Sequence, residues 1–158
     1  MTNKKMSVEE IRAKFEKYCE KTQQNDLQTE ADLKQHNAAM RKLNKIYKDQ
    51  IKEDETLQKS LYPELLASES MRTRAVAAQY ALLSKQCVEQ AMWVMTEIGY
   101  FGENVHMRAD SAVFMSFYLH DHKDLNELFD SVTRRFVEEH REQIEKKIKE
   151  RKEHRETR

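Results

Sequence analysis

Two glycines and one proline are all that 158 residues contain. Hairpins and sandwich corners need turn residues every ten positions or so, which excludes a β-sheet protein and leaves an all-α fold. A Gly-rich phosphate loop cannot be built from Gly99 and Gly102 alone. Cysteine is equally sparse. Cys19 and Cys87 have neither CxxC spacing nor a Cys/His cluster beside them, so free thiols in a reducing compartment are expected. No apolar run nears the ~20 residues of a membrane span, and MTNKKMSVEE lacks the apolar centre of a secretory signal. A soluble, cytoplasmic protein follows. Charge of one sign is also missing: 28 basic residues face 28 acidic ones. A dedicated nucleic-acid binder normally carries a basic excess, and a nucleic-acid mimic an acidic one.

Charge density divides what is present. Residues 1–60 hold 24 charged residues, 61–137 hold 17, and 138–158 hold 15 in only 21 positions. The expected organisation is therefore one helical domain over 1–137 and a charged helical tail over 138–158. Ser7 and Glu10 form a capping box ahead of Val8, Ile11, Phe15 and Tyr18, predicting a first helix that ends near 24–25. Thr29 or Asp32 caps a second, striped by Leu33, Met40, Leu43, Tyr47 and Ile51, and the two make an antiparallel hairpin. A third helix surrounds Leu57, Leu61, Leu65 and Leu66. Pro63 either kinks it or, as preferred, marks the first turn of a helix beginning near Ser60–Leu61.

The least charged long stretch, TRAVAAQYALLSKQCVEQAMWVMTEIG (73–99), reads as a second hairpin. Its first helix, 71–85, has a cap at Ser68–Ser70, small residues Ala75, Ala77, Ala78 and Ala81, and a stripe of Val76, Tyr80 and Leu83. Its second, 88–98, turns Ala91, Val94, Met95 and Ile98 inward and stops at Gly99 in a left-handed cap. YFGENVHMRAD (100–110) is the expected loop, and SAVFMSFYLHD (111–121) the sixth helix. Asp124 or Asn126 opens a seventh around Leu125, Leu128, Phe129, Val132 and Phe136. The tail keeps Ile144, Ile148 and opposite charges four residues apart, such as Glu142–Lys146.

TRAVAAQYALL followed by VEQAMWVMTEI resembles the central motif of a family of short bacterial HEAT-like proteins without assigned function. Arg74, Ala77–Ala78, Leu83, Glu89, Ala91, Met95 and Ile98 take the motif's places. Phe15, Asn37, Met40, Leu43 and LYPELLASES match its opening hairpin, so the likeness covers about residues 7–115. The family usually ends soon after the second hairpin and has a Pro in the next loop, where this chain has YFGENVH and continues. The resemblance implies a HEAT-like stack of antiparallel hairpins, here about seven helices closed by a long charged C-terminal helix. It also implies an immunity role, since such proteins are frequently found beside toxin genes.

The chemistry-bearing clusters are thin. His120, Asp121, His122 and Asp124 are the nearest approach to a metal set, but His-x-His puts two rings about 200° apart on a helix, and a third ligand such as His106 or Asp110 would be needed. A polar helix end is the expectation there. Paired Glu-x-x-His, HExxH and G-x-S-x-G are all absent. Met92, Met95, Met107 and Met115 read as adaptable core. Trp93 falls off the inward stripe and is expected under the sixth or seventh helix.

No enzyme and no cofactor or metal is expected. The preferred function is non-catalytic binding of a protein partner, an immunity protein holding a bacterial toxin domain inactive. Its surface would be Tyr100, Phe101, Glu103, His106 and Arg108, with Trp93 nearby. The alternative is a nucleic-acid-binding module using Arg41, Lys42, Lys45, Lys48, Arg72 and Arg74, although Arg74 reads first as a residue that caps carbonyls or pairs across the hairpin. A third reading is a homo-dimer through the 124–150 helix, whose apolar spacing breaks near 138–140.

Overall fold

A computed structural model describes residues 4–22 and 29–157. These form eight α-helices and no strand: α1 (Val8–Cys19), α2 (Glu30–Ile46), α3 (Glu55–Leu66), α4 (Met71–Leu83), α5 (Val88–Phe101), α6 (Val105–Asp121), α7 (Asn126–Glu139) and α8 (Arg141–Glu156). A π-helical turn, Tyr47–Ile51, extends α2, and a 3-10 turn, Lys123–Leu125, precedes α7.

Side-chain caps begin most helices. Ser7, Thr29, Asp54, Ser70 and Asn104 each accept a hydrogen bond from the backbone N–H three residues on, satisfying donors the helix itself cannot. At Thr29 the exchange with Asp32 is reciprocal.

α5 is the central element. It packs on α3, α4, α6 and α7, which is why Ala91, Met92, Val94, Met95 and Ile98 are all buried. α4 packs on α1, α3 and α5, and its Ala77, Ala78 and Ala81 are fully buried, their small size allowing the close approach. Polar bonds set α6 against this pair: Ser111 Oγ donates to Met95 O at 2.6 Å, and Tyr118 OH to Leu82 O at 3.1 Å. Arg74 ties three segments together. Its Nε and Nη2 donate to Glu97 Oε1 on α5 at 3.1 and 2.6 Å, while Nη1 donates to Ser68 O at 2.7 Å and Glu69 O at 3.2 Å.

Several boundaries differ from the sequence reading. The expected stop of the first helix lies outside the described residues; α1 has already ended at Cys19, whose carbonyl is taken by Thr22 Oγ1 at 2.7 Å. Pro63 stands inside α3, which Asp54 starts nine residues earlier, so it does not mark a first turn. Leu83 is 53% exposed and Leu82 buried in its place. Leu33 is likewise exposed. The π turn admits an extra residue, which brings Ile51 into the core beside Leu43 and Ile46.

Gly99 is no helix stop. α5 continues to Phe101 because Tyr100 and Phe101 rest on Phe136 of α7, with ring centroids 6.0 and 5.9 Å away. The left-handed residues are instead Lys85 and Cys87. Gln86 N–H donates to Ala81 O and Lys85 N–H to Leu82 O, closing α4 as a Schellman turn with lysine where glycine is usual. The expected loop 100–110 shrinks to Gly102–Asn104, since Asn104 caps α6 six residues early. The expected single helix beyond 124 breaks at His140, whose Nδ1–H donates to Phe136 O at 3.0 Å while its ring stacks on Phe136 at 4.2 Å.

Candidate functional site

The expected partner surface separates into buried and exposed parts. Trp93 is half-buried, its ring 5.0 Å from Phe136 and 6.0 Å from His140, so α7 covers it. Tyr100 and Phe101 are half-buried in the same aromatic cluster, and Arg151 of α8 donates to Tyr100 O. Glu103 accepts from Arg72 Nη2 at 2.9 Å. Arg108 is half-buried and donates to Gly102 O at 2.9 Å. Only Glu103 and His106 of the six are exposed, Glu103 tied to Arg72 and His106 pointing from the first turn of α6. The six therefore do not share one open face.

The basic residues also divide. Arg72 bridges Glu20 and Glu103, and Arg74 is held by Glu97 and two carbonyls, so both are occupied within the fold. Arg41 is exposed. Lys45 pairs with Asp49 at 2.8 Å and, with Lys4, Lys14 and Lys42, lines a groove of about 290 Å³ over Tyr18 and Ile46. Lys17 and Lys42 hold their ammonium groups 5.9 and 5.2 Å from the Tyr18 ring. Segments 4–22 and 29–52 carry twelve basic and seven acidic residues, against fifteen and twenty in 53–157. Neutrality overall conceals this polarity.

At the end of α6, His120 Nδ1 lies 3.3 Å from Asp121, and His122 stacks on Tyr118 while donating to its carbonyl. Among the described residues no group of three or more His, Cys, Asp or Glu side chains is placed to hold a metal ion, and no helix is long and apolar enough to cross a membrane. Cys19 is fully buried and desolvation raises its pKa far above the usual thiol range; burial raises that of the half-buried Cys87 too. Neither sits where a thiolate is favoured.

Two grooves flank α6. One, about 370 Å³, lies towards α2 and α4 over Met40, Val76 and Met95, with His36 and Asp110 at its edge. Burial lowers the His36 pKa, and the Asp110 carboxylate opposes that shift. The other, about 420 Å³, lies between α6 and α7 with α5 as its floor. Its walls are Met115, Leu119 and Phe129, and its floor includes Met95, Gly99 and Tyr100. A Cβ at Gly99 would meet nothing within 4 Å. Ala112 and Ser116 keep the α6 wall low, and Thr133 Oγ1 is buried there with no hydrogen-bond partner among the described residues.

Apolar walls, a low α6 side and a floor without a side chain at Gly99 describe a cleft suited to apolar side chains. The sequence hinted at it only through Tyr100. Comparison of the chain with protein-family models, curated proteins and solved structures finds no match.

Proposed function

We propose that this chain is a non-catalytic protein-binding scaffold whose partner lays one face of a helix into the α5/α6/α7 groove. The observation that carries the reading is the groove itself. An open apolar cleft bounded by Leu119, Phe129 and Met115, with Gly99, Ala112 and Ser116 permitting close backbone approach, matches helix-in-groove recognition. In its finer form the proposal is an immunity protein of HEAT-like architecture that holds a bacterial toxin domain inactive in the cytoplasm, which rests on the resemblance of residues 7–115. Tyr100 lines the groove, while Phe101 and Trp93 pack with it on Phe136 rather than stand on a protruding loop.

Filling the groove tests this. Gly99→Leu projects a side chain into open space without disturbing the core, whereas Gly99→Ala leaves most of the cleft free. Tagged wild type, Gly99→Ala and Gly99→Leu are used to capture polypeptides from the native extract, and binding is then measured calorimetrically. A polypeptide held equally by wild type and Gly99→Ala and lost with Gly99→Leu supports the groove; equal retention by all three refutes it. Relief of growth arrest when the chain is co-expressed with that polypeptide tests the immunity function.

Nucleic-acid binding stays a second reading, favoured by the basic polarity of the α1–α2 hairpin. Arg41, Lys42 and Lys45 with Lys4, Lys14 and Tyr18 would carry it, Arg72 and Arg74 being engaged elsewhere. Steep loss of duplex binding with added salt, reduced in Lys14→Gln/Lys42→Gln, is its signature.

A further inference from the structure

The face of α6 turned away from the core carries a stripe that is exposed along its whole length. His106, Asp110, Val113, Phe117 and His120 follow one another at spacings of four, three, four and three, the repeat that keeps side chains in line on a helix. Met107, Ser111, Met115 and Tyr118, the residues α6 buries, lie on its opposite side. Val113 is 53% and Phe117 71% exposed, the latter the most exposed large apolar side chain among the described residues. Two apolar residues one turn apart, flanked by an acid on one side and a histidine on the other, are not what a solvated helix face requires.

The order of the stripe is what identifies its occupant. Turned end for end about Met115, it reads onto itself with complementary chemistry. Val113 then faces Phe117 of the opposed helix, Asp110 faces His120, and both pairings occur twice by symmetry. An antiparallel helix pair places side chains in this alternating fashion, and a two-fold interface must be self-complementary.

We infer that a second copy of this chain docks here, forming a two-fold dimer through antiparallel α6 helices. Phe117 of each chain covers Val113 of the other and closes over the mouth of the groove beside α2 and α4. His120, whose Nδ1 is directed to its own Asp121, offers Nε2 to Asp110 across the axis. Asp110 also senses His36 of its own α2, so each carboxylate stands between two imidazoles. The surface is distinct from the α5/α6/α7 groove, on the other flank of the same helix, and leaves that groove open. A 17-residue helix is about 25 Å long and one helix pair buries less than the ~1,600 Å² of a standard interface, so a reversible, concentration-dependent dimer is expected.

Sedimentation equilibrium of the full chain over a wide concentration range tests the inference. The wild type is expected to rise from its 18.9 kDa monomer mass towards twice that value. Phe117→Asp is expected to remain monomeric, with unchanged circular dichroism because the side chain is exposed. His120→Glu sets two acids against each other and weakens dimerisation at least about tenfold, and adding Asp110→Lys in the same chain restores it. A wild type that stays monomeric throughout overturns the proposal. So does self-association indifferent to Phe117→Asp, or a double variant no tighter than His120→Glu alone, which would rule out the antiparallel register.

Discussion

The two glycines, three residues apart, are expected to respond to the same substitution with opposite sign. Gly99 lies within α5 at negative φ, and a Cβ there meets nothing within 4 Å. Alanine therefore adds no clash, while it removes backbone freedom from the unfolded chain and improves helix propensity. The gain is about 0.5–1 kcal/mol. Gly102 caps the same helix, also at negative φ, but a Cβ there would stand 2.7 Å from Ile98 O and 2.8 Å from Arg108 Cγ. The first of these atoms is backbone and accepts the Gly102 N–H bond at 2.8 Å, so it cannot retreat without loosening the end of α5. Arg108 is held to Gly102 O as well. Overpacking of this kind costs about 1–3 kcal/mol, only partly offset by the entropy term.

Gly99→Ala should accordingly raise the midpoint of urea unfolding, followed by circular dichroism at 222 nm, and Gly102→Ala should lower it, with the slope unchanged in both. For a chain of this length each kcal/mol corresponds to about 2–4 °C in Tm. Destabilisation by Gly99→Ala would mean that Gly99 needs a left-handed conformation after all, as its sequence context suggested. A neutral Gly102→Ala would refute the close contact.

Three further predictions probe other parts of the fold. Arg74→Ala removes a half-buried clamp and leaves Glu97 and two carbonyls unsatisfied, so a loss of about 2–3 kcal/mol is expected in the same unfolding assay; Glu97→Gln should cost less, because its amide oxygen still accepts. Lys85→Gly relieves a lysine at φ 57° in the Schellman turn and should stabilise by about 1 kcal/mol, whereas Lys85→Ala should not. For His36, desolvation lowers the folded-state pKa below its unfolded value, so the unfolded chain binds more protons near pH 6. Stability should fall as pH drops below about 6.5, and His36→Gln should remove that part of the slope in unfolding curves taken from pH 7 to 5.

Helix class and most inward stripes were legible because they depend on short-range pattern, whereas about seven helices were expected and eight are formed by the described residues. Ala91, Val94, Met95 and Ile98 read as inward and are buried; Ser7 reads as a cap and caps, and of the alternatives Thr29 or Asp32 and the stretch Ser68–Ser70 the caps are Thr29 and Ser70. The errors fall where a distant segment decides. Gly99 carries a local stop signal, but Phe136, 37 positions along the chain, gives Tyr100 and Phe101 a surface that continues the helix past it. Leu82 and Leu83 are chemically alike, and only the packing of α4 on α3 and α5 buries one and exposes the other.

The candidate sites follow the same division. Residues 100–108 look like an exposed loop by composition, yet aromatic stacking and the Asn104 cap absorb nearly all of them into helices. The groove of α5, α6 and α7 has no sequence signature, because its walls come from three helices and its floor from an absent side chain at Gly99. The α6 stripe is present in the sequence as spacing, but spacing cannot say which of a helix's faces meets water.

Alone, the sequence determined an all-helical chain, its caps and most of its buried positions, since those follow from turn-residue scarcity and the 3.6-residue period. Tertiary structure decided where helices end, which of two equivalent apolar residues is buried and which clefts stay open, because each depends on atoms brought together from distant parts of the chain.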